Sequence, residues 1–318
     1  MVVGRIVFGV AFAVLAAVGG APTAVRASTY TQALPAGCTA PTLTGTTLYC
    51  NGTAVLTIVD YPCDSQLVLG NGADGYTISC ATPNYSGLYW VPSESGQGYT
   101  LTHQANGIFL LAYIYGDDHS PQWLSMLAKL DETGAYVGEV LSSTGAPGAP
   151  FPHYYASGRL MPNSNGTIDL TIGSTVKTLQ RYDIGDGAPL PTCTFGATPA
   201  GIVTGLWWDP AHAGAGFGIH DQSGKLFLTW YSYDASGNPR WAAALLGNNA
   251  AGTWSGQLYA TTGPSFTDAL FDAASVTATP VAAASLAIAD ANHATFTTGG
   301  TSIPLTRFVF STPGTACQ

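Results

Sequence analysis

The sequence predicts an all-β protein: two tandem, related antiparallel β-barrels (or sandwiches) of about eight strands each, preceded by a small disulfide-rich β module. Three observations carry that expectation. A long stretch of the chain occurs twice. Gly, Thr, Ser and Tyr fill the place that charged residues hold in an ordinary soluble domain. Short runs rich in Thr, Val, Leu and Tyr are separated by Gly, Asn, Asp and Pro, the punctuation of hairpins.

The duplicated stretch is Gly205-Leu206-Trp207-Trp208-Asp209-Pro210, continuing through Gly214-Ala215-Gly216-Phe217 to Trp230-Tyr231-Ser232-Tyr233-Asp234 and Pro239-Arg240-Trp241. Its earlier copy reads Gly87-Leu88-Tyr89-Trp90-Val91-Pro92, then Gly96-Gln97-Gly98-Tyr99, Tyr113-Ile114-Tyr115 and Pro121-Gln122-Trp123. Counterparts stand 118 positions apart without a gap from Gly87/Gly205 to Gly145/Gly263. A repeat of roughly 100 residues is too long for a propeller blade, which recurs every 40–50 residues or so. A closed up-and-down barrel removes exposed strand edges and suits the strand count.

Taken in order, residues 1–27 read as a secretory signal: Arg5, an apolar run over 6–18, and the small-residue cleavage site Val25-Arg26-Ala27 before Ser28. The run is shorter than the roughly 20 residues that span a bilayer, and no later segment predicts a membrane span. The expectation is an exported protein, secreted, periplasmic or on the cell surface. Charged residues are 8% of the chain, against about 25% in typical domains. Removal of Arg5 and Arg26 leaves seven basic residues against 18 acidic ones, a charge of about −11. So few cations cannot neutralise a run of phosphates, which excludes nucleic acid as a partner and disfavours anionic membrane surfaces.

Residues 28–84 form the Cys-rich module, with short strands expected at 43–49, 54–59, 66–69 and 76–79. Cys38, Cys50, Cys63 and Cys80 crowd into it, and six cysteines in an exported chain point to disulfides rather than metal. Two bridges are expected inside the module, with all three pairings open, and one from Cys193 to Cys317 tying the ends of the repeats. So small a module buries little core and leans on its bridges. Repeat one, 85–184, carries eight expected strands: 87–91, 98–104, 107–115, 122–130, 136–143, 154–161, 167–172 and 176–182. A Gly- and Pro-containing linker, 185–202, leads to repeat two, 203–318. There the Ala-rich stretch 268–290 makes room for an inserted loop or short helix.

Phe109, Tyr113 and Tyr115 match Phe227, Tyr231 and Tyr233 and alternate along a strand, so they share one face. Ile108, Leu110, Ala112 and Ile114 take the other. Two apolar faces mean a strand covered on both sides or one lining a cavity. The rings are either cross-strand core or an aromatic wall for a sugar ring or flat apolar ligand. Trp207, Trp230, Tyr231, Tyr233, Tyr113 and Tyr115 are the candidate ligand-binding residues; Trp207 and Trp230 stand out because repeat one lacks them. Trp90/Trp208 and Trp123/Trp241 are expected as plugs at the barrel ends. Gly96/Gly214 and Gly98/Gly216 are expected where a side chain would clash. Asp234-Ala235-Ser236-Gly237-Asn238 has the oxygens of a calcium loop and the residues of a hairpin turn; the turn is preferred. His212 and His220, near Asp209 and Asp221, are read as solvated loop residues rather than metal or acid–base groups. Nucleophile-elbow and zinc-protease motifs are absent, so no catalytic residue, metal or cofactor is assigned. Acids such as Glu94, Glu132 and Glu139 leave a hydrolase as an alternative.

The pattern Gly-x-Trp-Trp-x-Pro-x-x-x-Gly-x-Gly, then Leu-Phe-x-x-Trp-Tyr-x-Tyr-Asp-x-x-Gly-x-Pro-x-Trp, resembles a repeat of exported proteins of Gram-negative bacteria. Residues 205–241 match it; 87–123 match with Tyr89 for Trp and Gly116 for Asp. The resemblance brings no established activity. The Gly-x-Trp opening also resembles lipocalin- and avidin-type barrels, which implies a binding site at the barrel mouth. The expected function is non-catalytic binding of a glycan or small apolar ligand through these aromatic positions; the alternatives are an extracellular hydrolase or a structural, adhesive surface protein.

Overall fold

The computed structural model describes residues 29–317 apart from 58–64, 70–73, 79–82, 197–201, 250–252 and isolated positions elsewhere. The N-terminal module holds two small sheets. Its strands are β1 (Thr29–Gln32), β2 (Pro41–Thr44), β3 (Thr47–Cys50), β4 (Thr53–Thr57), β5 (Ser65–Leu69) and β6 (Asp74–Ile78). β2, β3 and β4 make one antiparallel sheet; β5 pairs with β6 and, in parallel, with β1. The single strand expected at 43–49 is instead split between β2 and β3, which pair as a hairpin from Pro41–Cys50 to Thr44–Thr47. Cys38 bonds to Cys50, while Cys63 and Cys80 lie outside the described residues.

Repeat one forms β7 (Gly87–Trp90), β8 (Gly98–Gln104), β9 (Gly107–Tyr115), β10 (Pro121–Leu130), β11 (Tyr136–Ala146), β12 (Ala149–Pro162), β13 (Ile168–Ile172) and β14 (Thr175–Arg181). Each is antiparallel to the next, and β14 closes onto β7 through Gln180–Trp90 and Arg181–Tyr89. After β15 (Cys193–Phe195), repeat two builds a second closed barrel from β16 (Gly205–Trp208), β17 (Gly216–Gln222), β18 (Lys225–Tyr233), β19 (Pro239–Asn248), β20 (Thr253–Thr262), β21 (Thr277–Ile288), β22 (His293–Thr298) and β23 (Thr301–Arg307). β24 (Thr315–Cys317) returns to β15. Cys193 faces Cys317 there and bonds to it, the bridge expected from the repeat ends. In the Ala-rich stretch of repeat two, a single 3-10 turn (Ala273–Ser275) precedes a long strand, β21. Among the described residues no helix is long and apolar enough to cross a membrane.

Period-two alternation sorts the side chains. On β9, Ile108, Leu110, Ala112 and Ile114 point into barrel 1 with Tyr99, Leu124 and Leu170. On β18, Leu226 and Leu228 point into barrel 2 with Phe217, Leu246 and Phe296. The opposite faces meet each other. Phe109, Leu111, Tyr113, Tyr115 and Trp123 pack with Tyr231, Tyr233 and Trp241 in a third core between the barrels. Both faces of β9 and β18 are therefore covered, one by its own barrel and one by the neighbour.

The seam has near two-fold symmetry. The Trp123 indole N–H donates to the Ser232 carbonyl at 3.1 Å, and that of Trp241, its repeat counterpart, to the Ile114 carbonyl at 2.8 Å. Gln222 donates to the Tyr182 carbonyl and accepts from the Ile184 amide; Gln104 does the same with Phe308 and Phe310. The Trp123, Trp241 and Trp208 rings expected as barrel-end plugs are thus seam residues, because they project from outward-facing strand positions. Trp90 alone is half-buried, edge-on to Tyr182 at 5.0 Å.

Candidate functional site

The six candidate ligand residues separate into three environments. Tyr113, Tyr115, Tyr231 and Tyr233 lie in the seam, 7%, 0%, 2% and 4% exposed. Tyr115 and Tyr233 donate their hydroxyls to the Gly96 and Gly214 carbonyls at 2.7 and 2.9 Å, and the Tyr231 hydroxyl pairs with Thr229 at 2.9 Å. Burial pushes Tyr115 and Tyr233 up to about 12, and Tyr113 and Tyr231 upward as well, so the seam stays uncharged. The gap beside Tyr231 and Trp207 has room for about one water. These four rings join two barrels and face no solvent.

Trp207 belongs to the core of barrel 2, 1% exposed. Its N–H donates to the Val203 carbonyl at 2.9 Å and the Arg307 guanidinium lies 4.3 Å over its ring. Tyr89 does the same work in barrel 1, donating to the Tyr85 carbonyl at 3.1 Å. Trp207 is therefore part of the shared scaffold after all, with Tyr as its equivalent.

Trp230 is different. It projects into barrel 2 at the position of Ala112 in barrel 1, yet it is half-buried where Ala112 is fully enclosed. Its ring lies parallel to Phe217 (5.8 Å, 4°) and 5.9 Å from Phe296. Its cross-strand partner Ala242 and nearby Ile303 are also half-buried, whereas Leu124, which stands for Ala242 in barrel 1, is 0% exposed. This end of barrel 2 leaves an indole partly open to solvent.

The cause is a difference in one connection. Between β20 and β21 run 14 residues, 263–276; between β11 and β12 run only two, 147–148. Three residues past the last shared glycine, Phe266 stands where repeat one has Gly148. Phe266 enters the core of barrel 1, 2% exposed, with its amide on the Tyr115 carbonyl and the Lys177 ammonium 5.4 Å over its ring. The connection is fastened by Ser265 to Asp117 (2.6 Å) and by Val276 against Gly96, where a Cβ would come within 2.6 Å. On the other side Pro150 packs against Gly214 in the same way. The short connection brings no ring with it, so barrel 2 lacks a stopper. Composition and period gave no sign of Phe266; its one signal was that it falls in the segment by which repeat two outgrows repeat one.

The remaining polar candidates resolve as follows. Asp209, itself buried, accepts from the exposed His212 at 2.7 Å. His220, expected as a loop residue, is instead 2% exposed on β17, and burial lowers it to about 3, assisted by Arg181. Glu94 pairs with Lys177 at 2.6 Å, Glu139 is exposed on β11, and Glu132 lies outside the described residues. Asp234 accepts from the amides of Ser236 and Asn238, the bonds of a hairpin turn. Among the described residues no group of three or more His, Cys, Asp or Glu is arranged to hold a metal. No protein-family profile matches the chain, and no curated protein or solved structure matches it either.

Proposed function

We propose that the chain is an exported, non-catalytic binding protein that receives the face of a sugar ring or a small flat apolar molecule on Trp230, at the open mouth of barrel 2. The observation that carries this is the pairing of a partly exposed indole with a fully enclosed alanine at equivalent positions of two barrels of the same fold. A large aromatic left partly in water forgoes part of its transfer free energy, roughly 1.5–3 kcal/mol for a fully buried ring. Barrel 1 closes with Ala112 at this position and the Phe266 ring over it, so the two barrels cover the same end by different means. Partly exposed aromatic surface is what such ligands use. The bonded cysteines support export.

The test is a neutral-glycan array read alongside a thermal-shift screen on the exported chain, with indole fluorescence as the report of contact. The informative variant is Trp230→Ala combined with Ala242→Leu, which copies the Ala112–Leu124 pair of barrel 1 and so preserves packing. Binding by the wild type and loss in the variant are expected; no ligand for either discards the reading. A second reading, a structural or adhesive surface protein, draws support from barrel interiors filled with side chains. It predicts no soluble ligand and adhesion unaffected by the same variant.

A further inference from the structure

Under the stopper of barrel 1 lies a cluster of polar side chains that barrel 2 does without. Glu94, buried, accepts from Lys177 Nζ at 2.6 Å on one carboxylate oxygen and from Gln97 Nε2 at 2.8 Å on the other. Tyr99 is wholly buried on β8, where burial and then the charge of Glu94 hold its phenol protonated. Two atoms of this cluster, the Tyr99 hydroxyl and Gln97 Oε1, are buried with no hydrogen-bond partner among the described residues. The repeat-two counterparts of Glu94, Gln97, Tyr99 and Lys177 are His212, Ala215, Phe217 and Ile303. Barrel 2 therefore forms with Ala, Phe and Ile at the places of Gln97, Tyr99 and Lys177.

Buried polar atoms are nearly always paired, and an unpaired one asks for a missing partner. Here the missing partner has a definite chemistry. Gln97 Oε1 requires a donor, and the Tyr99 hydroxyl supplies one and can accept another. The charges of Glu94 and Lys177 already cancel, so an added anion or cation would meet a like charge. A hydroxyl, which both donates and accepts, is a partner suited to either atom. Phe266, on the connection from barrel 2, forms the roof and offers a ring face over the Lys177 ammonium.

We infer that the Phe266-roofed end of barrel 1 is a second binding site, for a neutral hydroxylated small molecule such as a polyol or monosaccharide, read by Tyr99, Gln97, Glu94 and Lys177. This site is separate from the Trp230 mouth and stands whether or not that mouth binds anything. The ligand is admitted when the Phe266 ring turns aside. A single trapped water would meet the same two atoms, and the experiment separates the cases.

Full-length exported protein is titrated calorimetrically with glycerol, myo-inositol, glucose and galactose, as wild type, Tyr99→Phe and Phe266→Ala. Tyr99→Phe installs the residue barrel 2 carries at this place, so the fold tolerates it. The expected result is saturable binding of at least one polyol, weakened about tenfold or more by Tyr99→Phe and bound faster by Phe266→Ala. Tyr99→Phe should leave the melting temperature unchanged or raised, since it removes an unpaired hydroxyl. Absence of binding to all four compounds by both wild type and Phe266→Ala overturns the inference. So does a melting temperature lowered by Tyr99→Phe with no polyol effect, the signature of a structural water. The Trp230 variant must leave this binding intact; loss there would show that a single site had been divided in two.

Discussion

The two barrels agree in strand count, in closure and in the bulge that follows Val140 in one and Leu258 in the other. They agree again in the seam, where each lends a tryptophan N–H and a glutamine to its neighbour. They part at one end. Barrel 1 is stoppered by a ring borrowed from barrel 2 and holds an ion pair beneath it; barrel 2 fills the same space with its own Trp230, partly open to solvent. Positions that agree are those the architecture demands. Positions that diverge are free of that demand, and the candidate sites are found there rather than among the shared tyrosines.

The agreement is tested hardest at the seam. Trp123→Ala and Trp241→Ala should each cost about 3–5 kcal/mol, the range for a buried tryptophan, with the Ser232 or Ile114 carbonyl left unpaired as part of the loss. The expected signature is equality: the two urea midpoints should fall by similar amounts. A neutral effect at either site would break the two-fold account of the seam.

The divergence predicts inequality. Phe266→Ala removes a ring 2% exposed and should cost about 3 kcal/mol, whereas Trp230→Ala removes a ring that keeps part of its surface in solvent and should cost less, about 2 kcal/mol. Denaturation of the two variants side by side checks the ranking. If Trp230→Ala proved the more damaging, the mouth of barrel 2 would be packed core and the proposed ligand surface would disappear.

Most of the fold was legible in the sequence, for a local reason. Strands such as 98–104 and 107–115 are bounded by residues that turn, so nearest-neighbour chemistry sets their ends, and the observed β8 and β9 coincide with them. The covering of the second apolar face was not legible. Alternation says that Tyr113 and Tyr115 share a face, but not whether another strand, another barrel or a ligand lies against it. His220 was misplaced for the same reason: a polar residue on an outward strand position reads as solvated until a second barrel buries it. Phe266 escaped notice because its role depends on a connection reaching across to the other repeat, a contact that no window of sequence contains.

Histidines mark a further difference, smaller in effect. His103 in barrel 1 and His220 in barrel 2 do not occupy equivalent positions; their counterparts are Asp221 and Thr102. Burial holds both near 3, against about 6.5 in an unfolded chain; a backbone bond near Ala105 partly opposes this at His103. Below about pH 6.5 the unfolded chain takes up protons that the folded chain refuses, so stability declines as pH falls toward 3. At pH 4.5 the loss should be about 2–3 kcal/mol per histidine. His220→Thr, which copies Thr102, should remove about half of that dependence. Urea midpoints at pH 7 and 4.5 decide it, and parallel behaviour of variant and wild type would refute the assignment.

The smallest expected change is the most informative about barrel 1. Lys177→Ile alone strands the buried Glu94 carboxylate and should cost about 3 kcal/mol, whereas Lys177→Ile with Glu94→Met should return stability to within about 1 kcal/mol of the wild type. The reason is that desolvating two charges roughly cancels their mutual attraction, so an apolar pair of similar volume substitutes at little cost; Ile303 already stands at the Lys177 position in barrel 2. A double variant as stable as the wild type means that barrel 1 keeps its charges for something other than folding. A double variant as weak as the single one would mean that the ion pair braces the Phe266 stopper, and the divergence between the two mouths would then be an alternative way of closing a barrel rather than a mark of function.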